Sequence, residues 1–304
     1  MIPFSLKTIL SAFTLSLILV LAACQSDPET AAEDDASTPS VVELTMIDHA
    51  YAAPDSIPSG WMTFQMENVG EETHEFALRR LPQSKTFTDL RAEYIEPLDS
   101  LQQLRLEGTI DSDVYREAVQ KTIPDWASKM QTVGGGARLG AGQTAQATLK
   151  LEPGNYAMMC TVRSPNGHSH FLQGMAQPIT VTEAGSGASA PTPDVTIRSA
   201  GREISVEGRF VPGEQTVALH VERPPESLRS PYAFAYLAPL GPETDVEKLR
   251  NFVENEHSIE FLGGFLAVPT GQTRYSTVNL ESGPYGWVFP HGEEKYLVRE
   301  FTVE

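Results

Sequence analysis

The residues best suited to chemistry lie in one short segment, in the order Cys160, His168, His170 and Met175. A thiolate, imidazole nitrogens and a thioether are ligands that suit copper, which favours a trigonal Cys/His/His set with a weak axial methionine. The chain has only two cysteines, and the other one, Cys24, belongs to the N-terminal segment described below. Cys160 is then a lone thiol, which in an oxidising compartment is a liability unless it is buried or bound to a metal. The segment therefore indicates a metal site, and its chemistry favours copper.

Together with an upstream histidine and two turns, this segment resembles the cupredoxins, the family of plastocyanin and azurin. The matching residues, in chain order, are Asn68-Val69-Gly70 before His74-Glu75-Phe76, and Pro153-Gly154-Asn155-Tyr156 before Cys160. His170 lies five residues before Met175, which is the spacing of the family's histidine and methionine. The resemblance covers most of residues 41–182, apart from a helical insertion described below.

The resemblance implies one type 1-like copper site in the first half of the chain. His74, Cys160 and His170 would be the equatorial ligands, and Met175 would be the axial ligand. Cys160 and His170 are ten residues apart, a longer loop than plastocyanin or azurin carries. His168 is therefore the alternative ligand, although it lies seven residues from Met175. A cupredoxin scaffold that holds a buried cysteine and no metal is the other interpretation.

The elements that must bring these ligands together are predicted as short strands. Apolar or alternating runs bounded by proline and glycine recur through both halves, which is typical of an antiparallel β-sandwich. Residues 86–131 differ, because Leu90, Tyr94, Ile95 and Leu98 recur at helical spacing. This segment is predicted to be a helical insertion that caps one end of the sandwich. A partner-docking surface is the alternative role.

An internal repeat divides the folded part of the chain. Ten identities recur within 23 positions at an offset of 129 residues, beginning with Gly134-Gly135 and Gly263-Gly264. Duplication of one domain explains this spacing, so both halves are expected to share a fold. Small residues and prolines at 183–192 predict a linker between domains at 41–182 and 193–304. The sequence thus predicts two cupredoxin-like β-sandwich domains.

The second copy is predicted to lack metal ligands. When it is aligned by the repeat, Phe289 takes the place of Cys160, and Tyr232 takes that of His74. His291 lies near the right position but has no partner ligands in the sequence. Three further histidines, His49, His220 and His257, have no metal-ligand spacing and are interpreted as ordinary strand or loop residues.

The N-terminus predicts export and a lipid anchor. Residues 1–23 combine Lys7, an apolar run and small residues, which is the pattern of a secretory signal peptide. Leu21-Ala22-Ala23-Cys24 resembles the lipobox of bacterial lipoproteins, which implies cleavage before Cys24 and acylation of that residue. Residues 24–40 have no aromatic and no large aliphatic side chain and are predicted to be a disordered tether.

Composition restricts the partners. The chain has 304 residues, 22 Lys+Arg against 40 Asp+Glu and a formal net charge of −18, so nucleic acid is not an expected partner. The lipid anchor instead predicts a membrane as partner. The predicted location is the outer membrane, with the protein facing the periplasm or the cell surface. The surface charge favours basic partner proteins, and solubility is an equally good explanation for it.

These features predict a membrane-anchored copper-binding lipoprotein that transfers single electrons or handles copper at the cell envelope, with a redox or copper-delivery protein as partner. The alternative is a metal-free cupredoxin-fold module that recognises a protein or a glycan. Tandem cupredoxin domains also build multicopper oxidases and copper nitrite reductases. In this chain Met159 and Thr161, not histidines, flank Cys160, which disfavours an oxidase cluster. Enzymatic activity is left open, and a carrier or metal-binding role is favoured.

Overall fold

Both halves of the chain are built mainly from strands, as the alternating patterns predict. A computed structural model describes residues 39–223, 232–290 and 296–304. The strands, β1 to β16 in chain order, are Ser40–Ile47, Ala50–Ala52, Ser56–Asn68, His74–Arg80, Gln131–Leu139, Thr144–Leu151, Gly154–Met159, Ala176–Gly185, Val195–Ala200, Glu203–Glu207, Gly213–Arg223, Tyr232–Pro239, Gly264–Pro269, Thr273–Leu280, Gly283–Pro290 and Tyr296–Val303.

Several predicted features lie outside the described residues. They are the signal peptide, the lipidation site Cys24, the tether up to residue 38, and His291. Among the residues that are described, no helix is both long enough and apolar enough to span a membrane.

The strands form two layers that pack face to face. One layer runs in the order β10–β9–β11–β14–β6–β3, with β1 and β2 beside β3, and the other runs β3–β8–β7–β4–β5–β13–β12–β15–β16. Strand β3 belongs to both layers: Ser56–Ser59 pairs with β8, and Gly60–Glu67 pairs with β6. Gly60 lies at the change of partner with φ of 105°, a conformation that glycine adopts without steric cost.

The prediction of a mainly β sandwich is confirmed, with one addition. Most ladders are antiparallel, but β1 pairs with β3, β3 with β8 and β9 with β11 in parallel. Strand patterns could not reveal this, because alternation of side chains is the same in both kinds of ladder.

Each half of the chain contributes a large apolar core. The first core includes Phe64 and Phe76, which are fully buried with ring centroids 4.9 Å apart. The second core includes Phe265 and Trp287, whose ring centroids are 5.8 Å apart. Burial of each such aromatic side chain contributes about 1.5–3 kcal/mol. Cys160 belongs to the first core, so the thiol lies in an apolar environment inside one sandwich.

Helices are found where the sequence predicts the insertion. They are α1 Phe87–Leu90, α2 Glu96–Leu106 and α3 Ser112–Thr122, with a π-helical turn at Arg91–Ile95 and a 3₁₀ turn at Asp125–Lys129. The second half has α4 Val246–Arg250, α5 Phe252–Asn255 and a 3₁₀ turn at Glu256–Ser258. Thr86 and Asp89 form a capping box at the start of α1, and the Asp111 carboxylate accepts two backbone N–H groups at the start of α3.

The insertion packs on the first sandwich through an apolar cluster. Leu90, Ile95 and Leu98 belong to one buried cluster with Met159 of β7 and Leu172 of the loop that follows it. This is the packing that a cap over the end of the sandwich requires. It also places the insertion beside the loop that carries His170.

The two halves join through strands that are repeat counterparts of each other. Gly136 of β5 pairs with Phe265 of β13, and Ala147 of β6 pairs with Ser276 of β14. Both pairs join residues 129 positions apart, which is the offset of the repeat. In an antiparallel ladder, a residue that faces its own counterpart lies beside a local two-fold axis. The halves are therefore related as two subunits of a symmetric dimer would be.

Candidate metal centre

The predicted ligands come from three places in the first sandwich. His74 is the first residue of β4, Cys160 directly follows β7, and His170 and Met175 lie in the loop between β7 and β8. The Asn-x-Gly turn before β4 has a structural reason. Asn68 is fully buried, and its side chain accepts from the backbone N–H of Gly70 at 3.0 Å and donates to two carbonyl oxygens at 2.8 Å each. This side chain fixes the turn that presents His74.

Three of the predicted ligands meet at one point. The Nδ1 atoms of His74 and His170 are 3.1 Å apart, and the Cys160 Sγ atom lies 4.0 Å and 3.5 Å from them, respectively. All three side chains are fully buried. Two imidazole nitrogens and one sulfur converging in this way are able to hold a metal ion. The set matches the trigonal N₂S ligands that copper takes in its electron-transfer sites.

Met175 is held close to this group by its backbone. Its carbonyl accepts from the Cys160 N–H at 3.1 Å, and its own N–H donates to the His170 carbonyl at 2.9 Å. The side chain is fully buried in the same core as Cys160. The axial role of Met175 stays a prediction.

His168, the alternative ligand, points elsewhere. Its Nε2 lies 2.7 Å from the Asp99 Oδ1 of helix α2. It does not belong to the group of His74, Cys160 and His170. The structure thus brings His170 into the candidate centre and ties His168 to the helical insertion.

Each histidine of the centre has a carboxylate on its outer nitrogen. The Nε2 of His74 lies 2.9 Å from Asp48 Oδ1, and the Nε2 of His170 lies 2.7 Å from Glu72 Oε2. Asp48 also accepts the backbone N–H groups of Glu71 and Glu72, which fixes its position. Such contacts set the tautomer that leaves Nδ1 free for a metal and strengthen the imidazole as a ligand. Sequence reasoning missed both carboxylates, because no spacing rule marks them.

Burial sets the protonation of the centre. Desolvation raises the pKa of the Cys160 thiol to about 12, and the negative charge of Glu75 acts in the same direction. Desolvation and repulsion by His74 lower the pKa of His170 to about 4, and desolvation also lowers that of His74. At neutral pH the imidazoles are therefore neutral ligands, and a cation must displace the thiol proton to bind Cys160.

A buried ion pair lies behind the centre and reaches the second half. Glu75 follows His74 in β4, and its carboxylate accepts from the Thr161 hydroxyl. The Arg138 Nε lies 3.8 Å from Glu75 Oε2, and both side chains are almost fully buried. The Arg138 guanidinium also lies over three aromatic rings of the second half, which belong to Tyr236, Phe252 and Phe261.

The helical insertion holds the ligand loop through one buried amide. The Gln102 Oε1 of α2 accepts from the Ser169 N–H at 2.9 Å, and its Nε2 lies 3.4 Å from the Gly167 carbonyl. Gln102 is 2% exposed. Because Ser169 precedes His170, this side chain ties the insertion directly to the candidate centre. The finding gives the insertion a positioning role in addition to its role as a cap.

Gln102→Leu is expected to lower the free energy of unfolding of the metal-free protein by about 1–3 kcal/mol, because it leaves the buried Ser169 N–H without a partner. Urea unfolding measures the loss, and hydrogen exchange at the Ser169 amide is expected to become faster. Gln103→Leu is the matched control, since Gln103 is exposed and bonds only to Asp99 within α2. Equal losses in the two variants would contradict the positioning role.

Among the described residues of the second half, other side chains take the positions of His74 and Cys160. Ala233 pairs with Val268 as His74 pairs with Leu139, and both ladders shift register just after this residue. Ala233 therefore takes the place of His74, and the prediction for Tyr232 is wrong by one position. The repeat identities begin downstream, so no repeated residue sets the register of this strand.

The place of Cys160 in the second half is occupied as predicted. Val288 faces Tyr236 as Met159 faces Ala77, which puts Phe289 at the position of the thiol. Phe289 is almost fully buried in the second core. An alanine and a phenylalanine thus stand where the first half has a histidine and a cysteine.

Comparison with known proteins gives matches among solved structures. No protein-family model and no curated protein matches the chain. Auracyanin A, a "blue" copper protein from Chloroflexus aurantiacus, is 14% identical with a TM-score of 0.29, and the match covers 47% of this chain and 99% of that one. An azurin from Methylomonas sp. strain J is 13% identical with a TM-score of 0.27, covering 47% and 98%. A multicopper oxidase is 11% identical with a TM-score of 0.24, covering 87% and 88%. The assignment of the fold rests on the strand order and registers given above.

Proposed function

We propose that this chain binds one copper ion in its first half through His74, Cys160 and His170, with Met175 as axial ligand. The single observation that carries this proposal is the convergence of two Nδ1 atoms and one Sγ atom within 4.0 Å, all fully buried. Copper bound to such ligands supplies one-electron redox chemistry. The proposed role is single-electron transfer or copper handling.

The surroundings of the ligands support electron transfer, because they restrict movement. Asp48 and Glu72 orient the two imidazoles. The loop is closed by backbone bonds, among them one from the His170 N–H to the Val162 carbonyl at 2.9 Å. Ligands that keep one geometry in both oxidation states need little rearrangement when an electron arrives or leaves.

We further propose that the protein acts at the cell envelope, held by lipid on Cys24. The support is the signal pattern of residues 1–23 and the lipobox-like tetrad that ends at Cys24. Acyl chains on one cysteine would anchor the protein stably, since each buried methylene contributes about 0.8 kcal/mol. Labelled palmitate should mark the wild-type protein and should fail to mark Cys24→Ser. Equal labelling of both would overturn the anchor.

Copper titration tests the proposed function. Purified protein that is stripped of metal is expected to bind one Cu(II) per chain and to develop an intense thiolate-to-copper absorption. It should also melt at a higher temperature, because binding to the native state alone stabilises it. Chelation should reverse both changes. Absence of the absorption together with an unchanged melting temperature would favour the metal-free binding module. Turnover of nitrite or phenols would instead point to an enzyme.

A further inference from the structure

A second group of metal-binding side chains lies directly outside the buried ligands. It consists of His49, Glu72 and His170, whose ligand atoms all lie within 4.8 Å of one another. His170 thus belongs to both groups. Its Nδ1 faces Cys160 at 3.5 Å, and its Nε2 faces Glu72 at 2.7 Å.

His49 is placed over His170 by an unusual backbone conformation. It lies in the turn between β1 and β2 with φ of 62°, which is uncommon for a residue other than glycine. Its ring meets that of His170 edge to face, with centroids 5.2 Å apart. The His49 Nε2 is 3.4 Å from Ser164 Oγ, which itself donates to Glu72 Oε2 at 2.9 Å. His49, Ser164 and Glu72 therefore form one connected group beside His170.

Exposure separates the two groups. His74, Cys160 and His170 are fully buried, so no inner ligand meets solvent directly. The Glu72 side chain is 29% exposed, and His49 is half-buried. An ion that approaches His170 from this side meets His49 and Glu72 before it can meet Cys160.

We propose that His49 and Glu72, with the Nε2 of His170, form an outer site that captures a copper ion from solvent and passes it to the buried ligands. This inference rests on the proposed function. Imidazole and carboxylate ligands suit Cu(II) but also other divalent ions, whereas a thiolate is a softer and more selective copper ligand. The ligand chemistry therefore favours movement of copper inwards, from the outer nitrogen and oxygen atoms to Cys160.

His170 provides the shared step by exchanging its tautomer. For capture, it would offer Nε2 and carry its proton on Nδ1. To serve the inner ligands, it would offer Nδ1 and carry its proton on Nε2, donated to Glu72. The Cys160 thiol would release its proton to solvent in exchange for the ion. No redox change is needed for this transfer.

The rate of copper uptake tests the proposal. Cu(II) is mixed with metal-free wild type and with His49→Asn, and the growth of the thiolate-to-copper absorption is followed in time. Asparagine tolerates the left-handed backbone at this position, so the turn should be kept. The variant is expected to load at least about 10-fold more slowly, taking the lower end of the loss that follows removal of a group supporting a metal site. It should reach the same final absorption, because the inner ligands are unchanged.

A second variant shows the outer site by itself. Cys160→Ser removes the inner thiolate and should retain one weakly bound Cu(II) with nitrogen and oxygen ligands in its electron paramagnetic resonance spectrum. Adding His49→Asn to it should weaken that binding by more than about 100-fold, because it removes one of the three outer ligands, and loss of a ligand should exceed the cost of losing a supporting group. His220→Asn is the matched histidine control, because His220 bonds to Thr273 on β14 and belongs to neither group.

The outcomes separate this inference from the proposed function. If wild type develops the absorption and His49→Asn loads at the same rate, the capture site is overturned while the buried centre stands. If Cys160→Ser binds Cu(II) equally well with and without His49, the outer site is likewise overturned. If wild type itself develops no absorption, the proposed function fails first.

Discussion

Replacing Cys160 with serine is expected to abolish the thiolate-to-copper absorption and to weaken copper binding by more than about 100-fold. The absorption requires a sulfur ligand, and Cys160 is the only cysteine among the described residues. Loss of a partner outside the ligand shell already costs 10–100-fold in metal affinity, so loss of a ligand should exceed that range. Absorption spectra and competition with a chelator of known affinity measure both effects.

The second cysteine supplies the matched control for this substitution. Cys24→Ser makes the same substitution at the predicted lipidation site and alters none of the proposed copper ligands, so its absorption and copper affinity should equal those of wild type. A band that survives in Cys160→Ser would remove the proposed centre. Loss of the band in Cys24→Ser alone would show that the thiolate ligand is not Cys160.

Arg138→Met is expected to lower the free energy of unfolding by about 3–5 kcal/mol, the largest stability effect expected here. The side chain faces the carboxylate of Glu75, which is 1% exposed, and removing one partner leaves the other as an uncompensated buried charge. Arg138 also packs on aromatic rings of the second half, so this contact between halves is lost as well. Urea unfolding of the metal-free protein measures the loss.

A double substitution separates charge from packing. Glu75→Gln combined with Arg138→Met removes both charges and should be less destabilised than Arg138→Met alone. Arg209→Met is the surface control, because the Arg209–Glu304 pair is mostly exposed and should contribute less than about 1 kcal/mol. A loss in Arg138→Met no greater than in Arg209→Met would show that the buried pair contributes little.

The sequence predicts the strands, the insertion and the candidate ligands because each leaves a local pattern. Alternation identifies the strands, and helical spacing identifies the insertion. The spacing of His170 to Met175 favours His170 over His168 as a ligand. The structure places His170 beside Cys160. Features formed by residues close in sequence can therefore be predicted from the sequence.

Contacts between distant segments leave no such pattern. Glu72 and Asp48 are two of 40 acidic residues, and nothing in their spacing shows that they face the histidines. Gln102 reaches Ser169 across 67 positions, and only the docking of α2 on the ligand loop explains it. The sequence predicts His49 only as an ordinary strand or loop residue, because its relation to His170 depends on the turn after β1 and on the packing of two rings.

The counterpart pairing of β5 with β13 and of β6 with β14 has a consequence for how the protein behaves on dilution. Two identical subunits joined by such ladders would separate at low concentration. Because the subunits would be identical, both would carry the same metal ligands. Joined in one chain, the halves cannot dissociate or exchange. One copy can then lose its ligands and still complete the sheets of the other. Ala233 and Phe289 stand at the positions of His74 and Cys160, so the second half completes the sheets of the first without repeating these two ligands.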